Sequence, residues 1–158
     1  MTAPTLEIDI DPIWGDDIDW EALANRAAEA TAEIAPEIAH ENLLVSLVMA
    51  DDEEVHALNK QWRAKDKPTN VLSFPTPADL PVPQGEARPL GDIVLAHGVI
   101  AREAIEQGKT LRDHTVHLIV HGTLHLLGFD HETDDDAQEM EALETSILKG
   151  LGISDPYE

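Results

Sequence analysis

His121 and His125 stand four residues apart in HLIVHGTLHLLG (117–128), a stretch that is otherwise almost wholly apolar. On an α-helix, residues four apart lie one turn apart on the same face, so both imidazoles can point at one ion. The residues between and around them are Leu118, Ile119, Val120, Leu124, Leu126 and Leu127. A helix apolar on nearly all sides belongs inside a larger fold, and a rigid buried helix is a good platform for ligands. One helix face cannot surround a tetrahedral centre, so a third ligand must come from elsewhere. Gly128 lets the chain turn back, and His131 follows three residues later. His121, His125 and His131 are therefore the candidate metal ligands.

Three neutral imidazoles with one open position describe a catalytic zinc site, which would hold one Zn2+ per chain. Such an ion lowers the pKa of bound water to about 7 and supplies hydroxide at neutral pH. The chain has no cysteine, which excludes disulfides, thiolate ligands and a cysteine nucleophile. One histidine on an apolar helix is ordinarily a satisfied core residue, and it is the group of three that carries the metal reading. His117 lies one turn before His121 and reads as packing or support behind the ligands, with contact to substrate as the alternative. The zinc-protease signature has Glu directly after its first histidine; here that position is Gly122, which counts against a peptidase. Asp130 either orients His131 or the bound water, or is a turn residue. His40, His56, His97 and His114 belong to no constellation.

The rest of the chain supplies an α+β frame. Residues 6–12 alternate apolar and acidic side chains, a half-buried strand pattern. Asp19 caps a helix to about Ile34. NLLVSLVM (42–49) is a short apolar run and reads as a buried strand, after which Asp51 and Asp52 open a helix through about Trp62. VLSF (71–74) is a strand stopped by Pro75, and LGDIVLA (90–96) is another. Between them, residues 75–89 hold five prolines and read as a surface loop or lid. Helices are expected at about 98–107 and 112–127, separated by Gly108. A last helix, capped by Asp134, Asp135 or Asp136, runs to about Lys149. The expected fold is a single metal-dependent hydrolase domain over residues 1–158. It has about four strands in a mixed sheet, helices mainly on one face, and the metal helix in the C-terminal third.

Charge bounds the partners. Ten Lys and Arg against 32 Asp and Glu give a net charge of −22, which opposes nonspecific binding to nucleic acid. Four of the ten cations, Lys60, Arg63, Lys65 and Lys67, nevertheless fall within eight residues. A local basic patch survives on an acidic protein because charges more than about 8 Å apart are largely screened at physiological salt. The N-terminus has neither a basic region nor an apolar run, and no apolar stretch could span a bilayer. A soluble cytoplasmic protein is expected, with no membrane partner.

HGTLHLLGFDH (121–131) resembles the signature of the YbeY family, bacterial endoribonucleases of ribosomal RNA maturation. Leu58-Asn59 with Arg63, Pro68 to Pro75 (PTNVLSFP) and Leu90 to Ile93 (LGDI) resemble the family's other blocks in the same order. The resemblance is close over about 58–131. Asn70 departs from it, since the family more often has Asp there. The resemblance implies zinc on His121, His125 and His131 and a functional Arg63, whose guanidinium can grip a phosphate with two parallel hydrogen bonds; the alternative for Arg63 is a salt bridge with Asp66 or Glu53. Lys65 and Lys67 can guide an RNA backbone or be solvated loop charges. Ser73 and Asp92 match family blocks without a defined chemistry: Ser73 contacts substrate or ends a strand, and Asp92 supports the metal or caps backbone. The expected activity is hydrolysis of single-stranded ribosomal RNA, in rRNA maturation and ribosome quality control, with ribosomal proteins as possible partners and DNA not expected. Two rivals stand beside it: a small zinc amidohydrolase or peptidase, and a non-catalytic ribosome-assembly factor with a structural zinc closed by a fourth ligand such as His117.

Overall fold

The computed structural model describes residues 3–35, 43–77, 81–129 and 132–157. Strand β1 (Thr5–Ile10) turns its alternate residues Leu6, Ile8 and Ile10 onto the core. A 3-10 turn at Pro12–Trp14 leads to helix α1 (Trp20–Ile34), whose N-cap Asp19 accepts the Ala22 amide. Strand β2 (Leu43–Ala50) follows, and then α2 (Asp52–Arg63), capped by Asp51 as the sequence predicts. Strands β3 (Val71–Pro75) and β4 (Arg88–Ala96) flank the proline-rich segment, and α3 (His97–Glu106) grows directly from the end of β4. Helices α4 (Leu111–Leu126) and α5 (Asp134–Gly150) complete the chain.

The sheet order is β1-β2-β4-β3. β1, β2 and β4 are parallel, and β3 runs antiparallel along the edge of β4. Successive strand residues point to opposite faces, so β2 sends Val45, Leu47 and Met49 to one side, where Ile93 and Leu95 of β4 join them. Helices α1, α4 and α5 cover that face with Trp20, Ala24, Ala27, Val116, Ile119, Val120, Leu124, Met140, Ile147 and Leu148. On the other face α2 covers Leu72, Val94 and Ala96 with Val55 and Leu58. The mixed four-stranded sheet and the predominance of helices on one face agree with the sequence reading; α2 is the exception, because its short apolar stripe matches the far side of β3 and β4.

Two local differences have simple causes. The last helix is capped by Thr133, whose hydroxyl accepts the Asp136 amide at 3.1 Å, while Asp134, Asp135 and Asp136 occupy the first turn. Acidic residues are as favourable there, against the helix dipole, as at the cap itself. The segment read as a loop over 75–89 yields residues at both ends to strands, and its residues 78–80 lie outside those described. Helix α4 passes through the centre of the molecule, buried from His114 to Val120 and again at Gly122–Leu124.

Candidate metal centre and cleft

Gly122 is what lets α4 lie against the sheet. A β-carbon there would sit 3.0 Å from Ile93 Cγ2 and 3.2 Å from Ser73 Oγ. The position that carries glutamate in zinc proteases is therefore pressed onto β3 and β4, with no room for an acid side chain. At its C-terminus the helix closes in a Schellman turn: the Phe129 amide reaches Leu124 O at 3.2 Å and the Gly128 amide reaches His125 O at 3.0 Å. Gly128 takes φ +100°, a backbone region that favours glycine.

That turn brings the Phe129 carbonyl 2.9 Å from His125 Nδ1. A carbonyl only accepts, so His125 carries its proton on Nδ1 and presents a lone pair on Nε2. His121 is fixed in the same sense by α5, where its Nδ1 donates to the Glu144 carboxylate. The two Nε2 atoms then face each other at 3.0 Å. Two lone pairs that close repel unless a cation, a proton or a metal ion, lies against both. The separation is close to that of two nitrogens bound to one tetrahedral ion at about 2.0–2.1 Å.

Glu144 is fully buried on the inner face of α5. Its carboxylate accepts from His121 and from the Tyr157 hydroxyl, and His117 Nε2 lies 3.6 Å away. Burial pushes this carboxyl up, but the contacts with His117, His121 and Tyr157 outweigh it and hold the pKa at about 2. Burial, together with Glu144, pushes the Tyr157 phenol well above its usual range, so it stays a donor. The donor atoms of His117, His121 and Glu144 lie within 4.8 Å of one another, a group that could hold a metal ion. On that side, however, His121 and Glu144 are in direct hydrogen-bond contact, which leaves no space for an ion between them. A carboxylate behind a metal-binding histidine commonly holds its tautomer and ring orientation, and the cleft lies on the other side, where His121 and His125 line it.

That side opens into a cleft of about 350 Å³ lined by Arg63, Asn70, Val71, Ser73, Pro75, His121 and His125. The structure thus brings Arg63 and Ser73 to the same cleft as His121 and His125. Arg63 is exposed at the end of α2 and has no ion pair among the described residues, with neither Asp66 nor Glu53, the partners of the alternative reading; Asp66 is bonded to His56 at 2.7 Å. Ser73 Oγ donates to Gly122 O at 3.4 Å. Asp92, on the other face of β4, lines a separate apolar groove with Val48, Leu58, Trp62, Phe74 and Val94, away from the imidazoles. Asn70 donates to Glu103 at 3.0 Å and accepts its neighbour's amide, Val71 N, at 2.7 Å; an aspartate there would set two carboxylates against each other. His131 and Asp130 lie outside the described residues. Sequence reading missed Glu144 and Tyr157. The signal for Glu144 is an acid inside the apolar spacing Met140, Ile147, Leu148 of an otherwise amphipathic helix.

A family model described as endoribonuclease YbeY matches residues 12–152. The endoribonuclease YbeY of Novosphingobium aromaticivorans is 61% identical, with 99% of this chain and 98% of that one covered. That of Erythrobacter litoralis is 50% identical, with 96% of each covered. Among solved structures, the solution structure of TM1509 from Thermotoga maritima matches with a TM-score of 0.59 at 22% identity, over 93% of this chain and 91% of that one, a likeness of fold.

Proposed function

The chain belongs to the YbeY endoribonuclease family, and from that premise we propose that it is a zinc-dependent endoribonuclease acting on single-stranded ribosomal RNA during rRNA maturation. The observation that carries the reading is the pair of Nε2 lone pairs held 3.0 Å apart at the floor of a cleft that also contains a guanidinium. His121 and His125 would hold one Zn2+ through Nε2, with His131 as third ligand, and Glu144 would orient His121 from behind. A zinc ion there supplies Lewis acidity toward a phosphoryl oxygen and an activated water. Arg63 binds the same phosphate and offsets the charge that develops on it. The narrow cleft selects a single strand, whose backbone can be drawn in where a duplex cannot. Gly122 lies against the sheet, so the position used by the peptidase base is closed. Ribosome quality control and a cytoplasmic site of action fit the same assignment. Among the described residues no helix is long and apolar enough to cross a membrane.

The test is cleavage of a precursor RNA carrying the 3′ end of small-subunit ribosomal RNA by the zinc-loaded protein and its His121→Ala variant. Cutting by the parent alone, lost with a chelator and restored by zinc, is expected. Equal cutting by the metal-free protein would overturn the mechanism. A protein that holds stoichiometric zinc and never cuts, even on ribosomal particles, would instead be the assembly factor.

A further inference from the structure

Beyond Asn70 and Val71 the metal cleft continues into a second groove of about 330 Å³. Its walls include Glu103, Gln107, Lys109, His114, His117 and Tyr157, and it shares Asn70, Val71 and His121 with the first. Each compartment is near the lower end of small-ligand pockets, about 300–1,000 Å³. The two therefore suit adjoining groups of one ligand.

The second compartment has a different chemistry from the first. Its half-buried carboxylate, Glu103, repels phosphate. Glu103 is held in place by two donors: Asn70 Nδ2 at 3.0 and 3.3 Å, and His114 Nε2 at 2.9 Å. Burial, outweighing the pull of Glu103, keeps the His114 pKa below its ordinary value, so a neutral ring donates Nε2–H. These contacts occupy Oε1 twice and Oε2 once, which leaves Oε2 one acceptor position. Asn70 Oδ1 likewise keeps one beyond its bond to Val71 N. Two preset acceptors on hydrogen-bonded neighbours suit a partner with two adjacent N–H donors. Tyr157, 46% exposed, adds an aromatic surface, and unstacked RNA bases are held by aromatic contact and by hydrogen bonds to their polar edges.

We propose that this groove is a nucleobase subsite that receives the base flanking the scissile phosphate and reads it through Glu103 and Asn70, favouring guanine. Guanine offers N1–H and the 2-amino group together. Uracil sets carbonyl oxygens on both sides of its single N–H, against the carboxylate. Lys109, at the groove's edge near Pro156 O, meets the next phosphate. The inference rests on the ribonuclease reading above for the source of the base.

The experiment uses the full zinc-loaded chain and single-stranded RNAs identical except for the nucleotide on each side of the mapped cut. The parent is expected to favour guanosine over uridine at one flank by roughly tenfold in KM, the order of one hydrogen bond to a charged group. Glu103→Gln should reduce that preference to about twofold with zinc content unchanged. Gln107→Trp, which fills the groove from an exposed position without touching the Glu103 contacts, should also abolish it. An unchanged preference in both variants, or none in the parent, overturns the proposal. Titration with guanosine and uridine 5′-monophosphates, read by NMR shifts at Asn70, Glu103 and Tyr157, keeps the two readings separate. If no RNA is cut, selective guanosine shifts lost in Glu103→Gln uphold the subsite while the nuclease reading falls; no such shifts sink the subsite. Selective monophosphate binding alongside indifferent RNA cleavage overturns the assignment to RNA.

Discussion

At the scale of single residues the centre depends on which nitrogen of each imidazole carries the proton. Glu144 decides this for His121 and the Phe129 carbonyl decides it for His125. Replacing Glu144 with Gln keeps the shape but removes the charge. Zinc affinity should fall about 10- to 100-fold, the usual cost of losing such a partner, in competition against a chelator of known affinity; an unchanged affinity would mean that Glu144 serves packing alone. His114 gives a pH prediction away from the metal. Its folded pKa lies below its ordinary value, so the unfolded state binds the proton more readily. Its contribution to stability is therefore present above about pH 6.5, the ordinary value, and lost as pH falls through the folded pKa. Thermal unfolding of the metal-free protein should show Tm falling from about pH 6.5 downward, with a shallower slope in His114→Gln. An identical slope would remove His114 from the account. The sequence made His121 and His125 visible because the helical period alone puts them together. Glu144 was invisible to that logic: it is 23 residues from His121 on another helix, and only tertiary packing joins them.

At the scale of elements, α4 is placed by two glycines. Gly122→Ala would press a methyl group onto Ile93 and Ser73. Overpacking of this kind costs about 1–3 kcal/mol and moves α4 away from β3, which carries Ser73 and the cleft wall. Lower Tm together with raised KM is the expected pair of effects; lower Tm with unchanged KM would separate the packing from the site. Gly128→Ala strains a backbone at φ +100°, a cost of about 1–3 kcal/mol, and loosens the turn that aims the Phe129 carbonyl at His125. Weaker zinc binding with helix content preserved by circular dichroism is expected. Most elements were readable because each carries its own signal: Asp19 and Asp51 at caps, Pro75 at a strand end, Gly108 between helices. The last cap was misplaced among the three aspartates because acids favour both the cap and the first turn, while it is Thr133 whose hydroxyl accepts the Asp136 amide. The far-side position of α2 had no local signal, since it depends on which face of β3 and β4 its stripe meets.

At the scale of the whole molecule the question is how a chain of net charge −22 holds a polyanion. Neither the parallel pairing β1-β2-β4 nor the antiparallel β3 is written in local sequence, yet that order puts β3 beside α4 and brings the end of α2 to the cleft. Lys60, Arg63, Lys65 and Lys67 are all exposed there. An RNA strand reaching this corner meets four exposed cations with Asp66 among them, and acids more than about 8 Å away are largely screened at physiological salt. Each phosphate contact on a single strand contributes about −0.7 to the slope of log affinity against log salt. With four cations the slope should be no steeper than about −3, and shallower at low salt, where repulsion from the rest of the chain reaches further. Changing Lys60, Lys65 and Lys67 together to Gln should flatten that slope by about 2, raise KM, and leave kcat and zinc content alone, because the role proposed for Arg63 at the reacting phosphate is untouched. Measuring RNA affinity of the parent and the triple variant between about 0.05 and 0.2 M salt, the range over which counterion release is ordinarily read, decides the matter. If the slope does not change, the RNA follows another path over the surface, and the clustering of four cations at the end of α2 has no part in guiding it.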